Sequence, residues 1–283
     1  MMVLSAKGVV IVLQAYFDGG NKADSRRYKI LTLAGCAAQA KDWPSFEERW
    51  NRVLHRHWTS VLGNKWPKLF PEYQGIPFLH MTDLMSGNRP FSRQNGWDAS
   101  RINTFVSDCV TALEIHSAQM LMSSCSVILA DYKKVLAALP GLPPVEHLCN
   151  VFCVGHSLMR YWPAVLHDKA ELYFDRGETF CGHMRNLWNN KTNKNRLTWS
   201  CIRQIGEINM RDTPVAQPAD LLAWSINRAY ERGQIENEWQ SRLLAINRAS
   251  EWFDEKRLRG PIPGSLERYQ KAKEKLPTRK PMP

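Results

Sequence analysis

The sequence has no disulfide framework, no apolar run long enough to cross a bilayer, no fibrous repeat and no acidic excess, and each absence removes a class of protein. Seven cysteines, an odd number at irregular spacings, indicate free thiols in a reducing compartment, because disulfide scaffolds belong to short oxidised chains. A cytoplasmic location is the expectation. The apolar run from Gly8 to Leu13 is too short for a membrane span and leads into Tyr16-Phe17-Asp18 rather than a small-residue cleavage site, so it reads as a core strand. Hydrophobic residues at 44% and charged residues at 23% match ordinary globular usage and exclude a disordered chain. The 283 residues can bury the core of one elaborated domain.

Charge of one sign is scarce. Lysine and arginine number 38 against 27 acids, a formal net charge of +11. Such a surface attracts a polyanion through Coulomb forces and counterion release, with nucleic acid the leading partner.

Hydrophobic patterning predicts an α/β chain. Strands are expected over Val9–Phe17, with Asp18-Gly19-Gly20 as a turn, over Tyr28–Ala38, over Met120–Leu129, over Ala170–Phe174 and over Thr198–Ile205, where β-branched and aromatic residues concentrate. Helices are expected over 41–58, where Trp43, Phe46, Trp50, Val53 and Leu54 recur at spacings of three and four, over Ala99–Ser117, in segments leading to Tyr161, and over Gln217–Arg232, with Pro218 in the first turn. The stretch from about 59 to 98 is proline-rich and reads as an insertion, giving one domain over 1–255 and a basic, proline-containing tail over 256–283 that is at most loosely docked.

His147, Cys149, Cys153 and His156 crowd into one segment and raise the question of zinc. On a helix, 149, 153 and 156 share a face while His147 points elsewhere, and Val151, Phe152 and Val154 suit a buried helix. An ordinary core helix is expected.

Three aspartates take comparable positions: Asp18 and Asp175 at strand ends, Asp220 near a helix start. Strand ends and a helix N-terminus on one sheet edge can converge across long sequence separations. Carboxylates brought together resist simultaneous ionisation, and a divalent cation relieves the conflict. Magnesium and manganese prefer hard oxygen ligands and keep water positions, which suits in-line attack on a phosphodiester. Individually, Asp18 also suits a turn before glycine, and Asp220 also suits a helix start.

Four stretches, in order, are similar to the domain of unknown function 3800 family: Ala15 to Gly20; Trp43 to Trp50 with Phe78-Leu79-His80; Leu172 to Glu178; and Val215 to Trp224. The likeness spans roughly residues 12 to 232. It implies a ribonuclease H-like mixed five-stranded sheet flanked by helices, and Asp18, Asp175 and Asp220 as metal ligands. In place of the acidic residue that usually follows the first aspartate, this chain has Gly19. A ribonuclease H-type site commonly adds a fourth carboxylate, for which Glu178 and Glu146 are the candidates, Glu178 preferred.

His80 can bind a phosphate oxygen or move a proton, with Asp83 to orient it; the competing reading is a loop histidine packed under Trp43 or Phe78. Arg185, Lys191, Lys194, Arg196 and Arg203, with Trp188 and Trp199 interleaved, can neutralise phosphates and stack bases, and Arg176 beside Asp175 adds a cation, although both tryptophans equally suit a core. The combined expectation is a nuclease that hydrolyses RNA or DNA with two magnesium or manganese ions on Asp18, Asp175, Asp220 and Glu178. The alternatives are an inactive nucleic-acid-binding module and a protein-interaction component of a defence or mobile-element system.

Overall fold

The computed structural model describes residues 11–20, 29–161, 169–189 and 201–260. In chain order the elements are β1 (Ile11–Gly20), β2 (Ile30–Gln39), α1 (Trp43–Leu62), α2 (Trp66–Leu69), α3 (Met81–Ser86), α4 (Ala99–His116), β3 (Met120–Ile128), α5 (Leu129–Ala138), α6 (Val145–Arg160), β4 (Lys169–Asp175), α7 (Thr179–Asn189), β5 (Ile202–Ile208), α8 (Gln217–Arg232), α9 (Glu238–Ile246), β6 (Ala249–Phe253) and α10 (Glu255–Arg259).

The strands form one mixed sheet in the order β5-β4-β1-β2-β3-β6. β2 runs antiparallel to both β1 and β3, whereas β4 is parallel to β1, β5 to β4 and β6 to β3. The sheet therefore has six strands, not five. The additional one, β6, is an edge strand whose residues alternate between partly buried and exposed until Phe253. A short segment with little apolar content on either face carries almost no strand signal.

Helices cover both faces, so β2 is buried along nearly its whole length, as a central strand covered on both sides must be. Leu13, Ala15 and Phe17 point to one side, where α6 and α7 supply Cys149, Cys153, Phe180 and Met184. Tyr16, Ala34 and Cys36 point to the other, against α1, α4 and α8. This second core is aromatic. Residues 63–98 have little regular backbone, yet Trp66, Phe70, Phe78, Phe91 and Trp97 are buried in it, with ring centroids of Trp58–Phe78 at 5.2 Å and Phe91–Trp97 at 5.2 Å. Tilted and edge-on ring contacts hold this largely irregular segment in place.

β1 does not turn at Gly19-Gly20 but continues through them, pairing Gly19 with Leu33 and Gly20 with Thr32. Glycine is needed here for space rather than for a turn. A Cβ on Gly19 would lie 2.5 Å from Glu178 Oε2 and 2.5 Å from the Phe180 ring, and one on Gly20 would lie 1.9 Å from Asn227 Nδ2. At the other end of the chain, Leu258 of α10 is fully buried, so the first residues read as tail are docked against the body. No helix among the described residues is long and apolar enough to cross a membrane.

Candidate acidic site

The register of the parallel pair β1/β4 sets the site. Tyr16 lies opposite Tyr173 and Phe17 opposite Phe174, and both pairs stack, at 5.4 and 5.1 Å between centroids. The next residues, Asp18 and Asp175, therefore emerge abreast at the ends of neighbouring strands. Side chains alternate along a strand, so Asp18 points with Tyr16 toward the face covered by α8. The first turn of α8 presents Asp220 to it.

That first turn is held by Gln217. Its side-chain carbonyl accepts hydrogen bonds from Trp50 Nε1 and from the Leu79 backbone N–H, both at 3.0 Å, and its amide donates to the Met210 carbonyl at 3.3 Å. A fully buried polar group must be satisfied in this way. By tying α1, the 78–81 segment and the loop after β5 to one side chain, Gln217 brings the Met81 N–H onto Asp220 Oδ2 at 2.6 Å. The Met210 N–H likewise donates to Asp175 Oδ1 at 3.0 Å.

Electrostatics separates this cluster from an ordinary set of surface acids. Burial pushes the Asp18 carboxyl well above the usual carboxylate range, and Asp220, Glu178 and Asp175 push it further; only the Gly19 N–H pulls it down. Burial raises Asp220 to about 6, although the positive charge of His80 and the Met81 N–H oppose the rise and Asp175 and Asp83 assist it. These are the shifts expected of like charges sharing a desolvated space. Asp83 behaves differently. Burial opposes its ionisation, but the Asn88 amide and the charges of His80 and Arg211 outweigh burial and hold it below the ordinary value.

Glu178, just beyond β4, places its carboxylate against Gly19. Of the two candidates for a fourth acid, Glu178 acts on Asp18, whereas Glu146 on α6 faces His183 at 3.8 Å. His80 Nδ1 lies 2.8 Å from Asp83 Oδ2, the pairing expected of an oriented imidazole, and Arg211 donates to the same carboxylate at 2.6 Å while lying over the Phe78 ring. Sequence reasoning missed Arg211 and the part played by Gln217. For Arg211 there was no signal. For Gln217 the signal was an uncharged polar residue fixed at the head of an apolar helix.

The expected nucleic-acid contacts fall into three groups. Lys191, Lys194 and Arg196, with Trp199, lie outside the described residues. Arg185 and Arg203 are engaged within the protein, with Glu207 at 3.3 Å and Glu171 at 3.7 Å. Arg176 is exposed beside the site, its backbone N–H bonded to Ile208. All seven cysteines are free and buried. Cys149 and Cys153 turn into the core while His156 faces Glu251 at 3.7 Å, so the residues weighed as a zinc set separate.

The chain matches no family model, and no curated protein and no solved structure is significantly similar to it. Function has to be argued from the site. Among the described residues no three histidine, cysteine, aspartate or glutamate side chains stand in ion-binding geometry as placed; the acids meet at electrostatic range. Their chemistry nonetheless fits a hard cation: the donors are all carboxylates, Asp18 is strained by unscreened neighbours, and Asp175 and Asp220 each commit one oxygen to a backbone N–H and keep the other.

Proposed function

We propose that the protein is a metal-dependent nuclease of the ribonuclease H-like type that hydrolyses phosphodiester bonds in RNA or DNA, with Asp18, Asp175, Asp220 and Glu178 as the residues that would hold magnesium or manganese. One observation carries this reading: a buried carboxyl, Asp18, is crowded by three acids from two other parts of the chain, Asp175 and Glu178 at the end of β4 and Asp220 at the start of α8. Acids are not gathered in this way for stability, because each raises the cost of ionising the next. A bound divalent ion would supply charge compensation and Lewis-acid activation of water. The mixed sheet with helices on both faces and the acids at its strand ends support the same reading, and the free thiols suit a reducing cytoplasm.

The residues around the acids have definable tasks. Met81 and Met210 N–H groups fix the rotamers of Asp220 and Asp175. His80, oriented by Asp83, stands near the site in a position to transfer a proton to a departing oxygen. Arg211 offers a guanidinium to the phosphate backbone, partly exposed and already poised by Asp83, and Arg176 adds a second cation.

Gly19 lends support to a second reading, an inactive nucleic-acid-binding or protein-interaction module, because it removes a customary acid. Glu178 weakens that reading by placing a carboxylate against the same position. The test is cleavage of labelled RNA and DNA with magnesium or manganese by wild type and Asp175→Asn. A loss of about 100-fold or more is expected from the substitution; equal rates in both proteins exclude the mechanism, and salt-dependent binding without cleavage favours the second reading.

A further inference from the structure

The two edges of the sheet are finished differently. β5 lies under α7, whose Arg185 guanidinium donates from two nitrogens to the Ile205 carbonyl, both at 3.4 Å. β6, at the opposite edge, pairs only with β3, and its outward backbone groups have no hydrogen-bond partner among the described residues. Ala249–Phe253 has no proline, no lysine and no bulge, the usual devices that keep an open edge from pairing with another chain. Its one charged residue, Glu251, faces His156 and Arg257 at 3.7 and 3.5 Å on the α6 side. On the α8 side Ser250 is exposed and Trp252 is 38% exposed, its ring 5.3 Å from that of Tyr230. Beside them an open groove of about 280 Å³ is lined chiefly by apolar groups, among them Ala229, Tyr230 and Leu244.

We propose that a second copy of the chain docks at this edge, β6 against β6, antiparallel about a two-fold axis through Glu251. An open row of backbone groups is completed by an extended strand, and the five residues of β6 suit their own reverse. About that axis Ala249 falls opposite the partner's Phe253, and Ser250 opposite the partner's Trp252. A large side chain thus meets a small one on both faces of the strand, and each tryptophan reaches the groove beside the other copy's Ser250, since cross-strand neighbours lie about 4.5–5.5 Å apart. The two Glu251 carboxylates meet on the axis, each already attended by an arginine and a histidine. The chain's own end suits the place poorly, because prolines at 261, 263, 277, 281 and 283 cannot donate to a ladder. An isologous contact closes at two copies. A seam of five residues is at the small end of specific interfaces, so association falls at about micromolar concentration or weaker. The charge of +11 on each copy opposes it at low salt and is screened at high salt, the reverse of nucleic-acid binding. With the strands antiparallel, the two acidic clusters lie toward opposite ends of the joined sheet, so the contact is independent of the nuclease reading.

Sedimentation velocity of the full chain from about 1 to 200 μM, at about 0.1 and 0.5 M salt, tests the contact. A reversible monomer–dimer equilibrium is expected, tighter at the higher salt. Trp252→Lys and Ser250→Lys, both at exposed positions, should each weaken it about tenfold or more with little change in Tm, and Asp175→Asn should leave it unchanged. Cysteine substitution reads the register separately, since all seven native thiols are buried. Glu251→Cys should cross-link to its own copy on mild oxidation, because only residue 251 meets itself across the axis at a separation a disulfide can span; Ala249→Cys should not. A monomer under every condition together with no cross-link in Glu251→Cys overturns the proposal. So does a dimer that both lysine variants leave intact, or one in which Ala249→Cys cross-links as readily as Glu251→Cys. None of these readouts involves cleavage, so failure of the nuclease reading is seen separately.

Discussion

Two clusters of potential metal-binding residues lie on opposite faces of the same sheet, and they are held at very different cost. On the α8 face Asp18, Asp175 and Asp220 converge, with Glu178 beside Gly19 at the strand ends, and burial together with mutual repulsion drives Asp18 and Asp220 upward. On the α6 face, Cys125, Cys149 and Cys153 converge, each fully buried, with burial raising the thiols of Cys125 and Cys153 so that they stay neutral. A neutral thiol behaves as a small hydrophobe, so the second cluster is ordinary core. A buried carboxyl can escape its charge at neutral pH only by keeping a proton that it would give up in water, and that costs free energy which a thiol, already neutral, does not spend. Proximity of ligand-type residues therefore says little; what indicates function is a cluster whose members are held in a state the fold alone disfavours.

The largest effect that separates the two clusters is in pH dependence. Asp220 has a folded pKa of about 6, above its unfolded value, so the folded state retains a proton that the unfolded state loses between about pH 4 and 6. Stability of the metal-free protein contributed by this group is present below about pH 4 and falls as pH rises through 6, by on the order of 3 kcal/mol. Asp220→Asn removes the titration. Its Tm should match wild type at pH 4 and exceed it by several degrees at pH 7 without divalent ions, whereas saturating manganese should raise wild type above the variant. Parallel Tm curves across this range, with and without manganese, would erase the distinction between the clusters.

The difference in cost was only partly visible in the sequence. Asp18, Asp175 and Asp220 could be picked out because strand ends and a helix start are local features, and α8 was expected over Gln217–Arg232, with Pro218 in its first turn, where it is found. The glycines after Asp18 were misread as a turn because their requirement is tertiary: space for Glu178 and Phe180 on one side and Asn227 on the other. Gln217 was legible as a motif residue but not as a hub, since its partner Leu79 is 138 positions away. β6 was lost because an edge strand of five residues has too little periodicity to register. Residues 63–98 read as irregular, and they are, but only the fold reveals that their aromatic side chains complete a core.

A smaller and more local effect sharpens the comparison at Gly19. In Gly19→Ala the new methyl meets Glu178 Oε2 and Phe180 at contact distances that no real Cβ tolerates, so Glu178 must leave its place beside Gly19. Overpacking of this kind costs about 1–3 kcal/mol. Two opposed changes are expected in the pH 7 melting curves: loss of stability from the clash, offset in the metal-free protein by relief of repulsion on Asp18, and weaker stabilisation by manganese. A manganese-induced Tm increase equal to wild type would show that Glu178 has no share in holding the ion.

The smallest effect belongs to the thiols. Cys149→Ala removes one buried sulfur from a close-packed interior and leaves Cys125 and Cys153 neutral, so the loss is that of a small apolar group, about 1 kcal/mol. Nothing in that cluster needs a cation. The variant should therefore lose the same few degrees of Tm with manganese, with chelator and with neither, and its manganese-induced stabilisation should equal that of wild type. Sensitivity of the wild-type melting curve to a thiol-selective chelator, abolished by Cys149→Ala, would show instead that the sulfur cluster holds a soft metal, and the contrast in cost between the two faces would have to be redrawn.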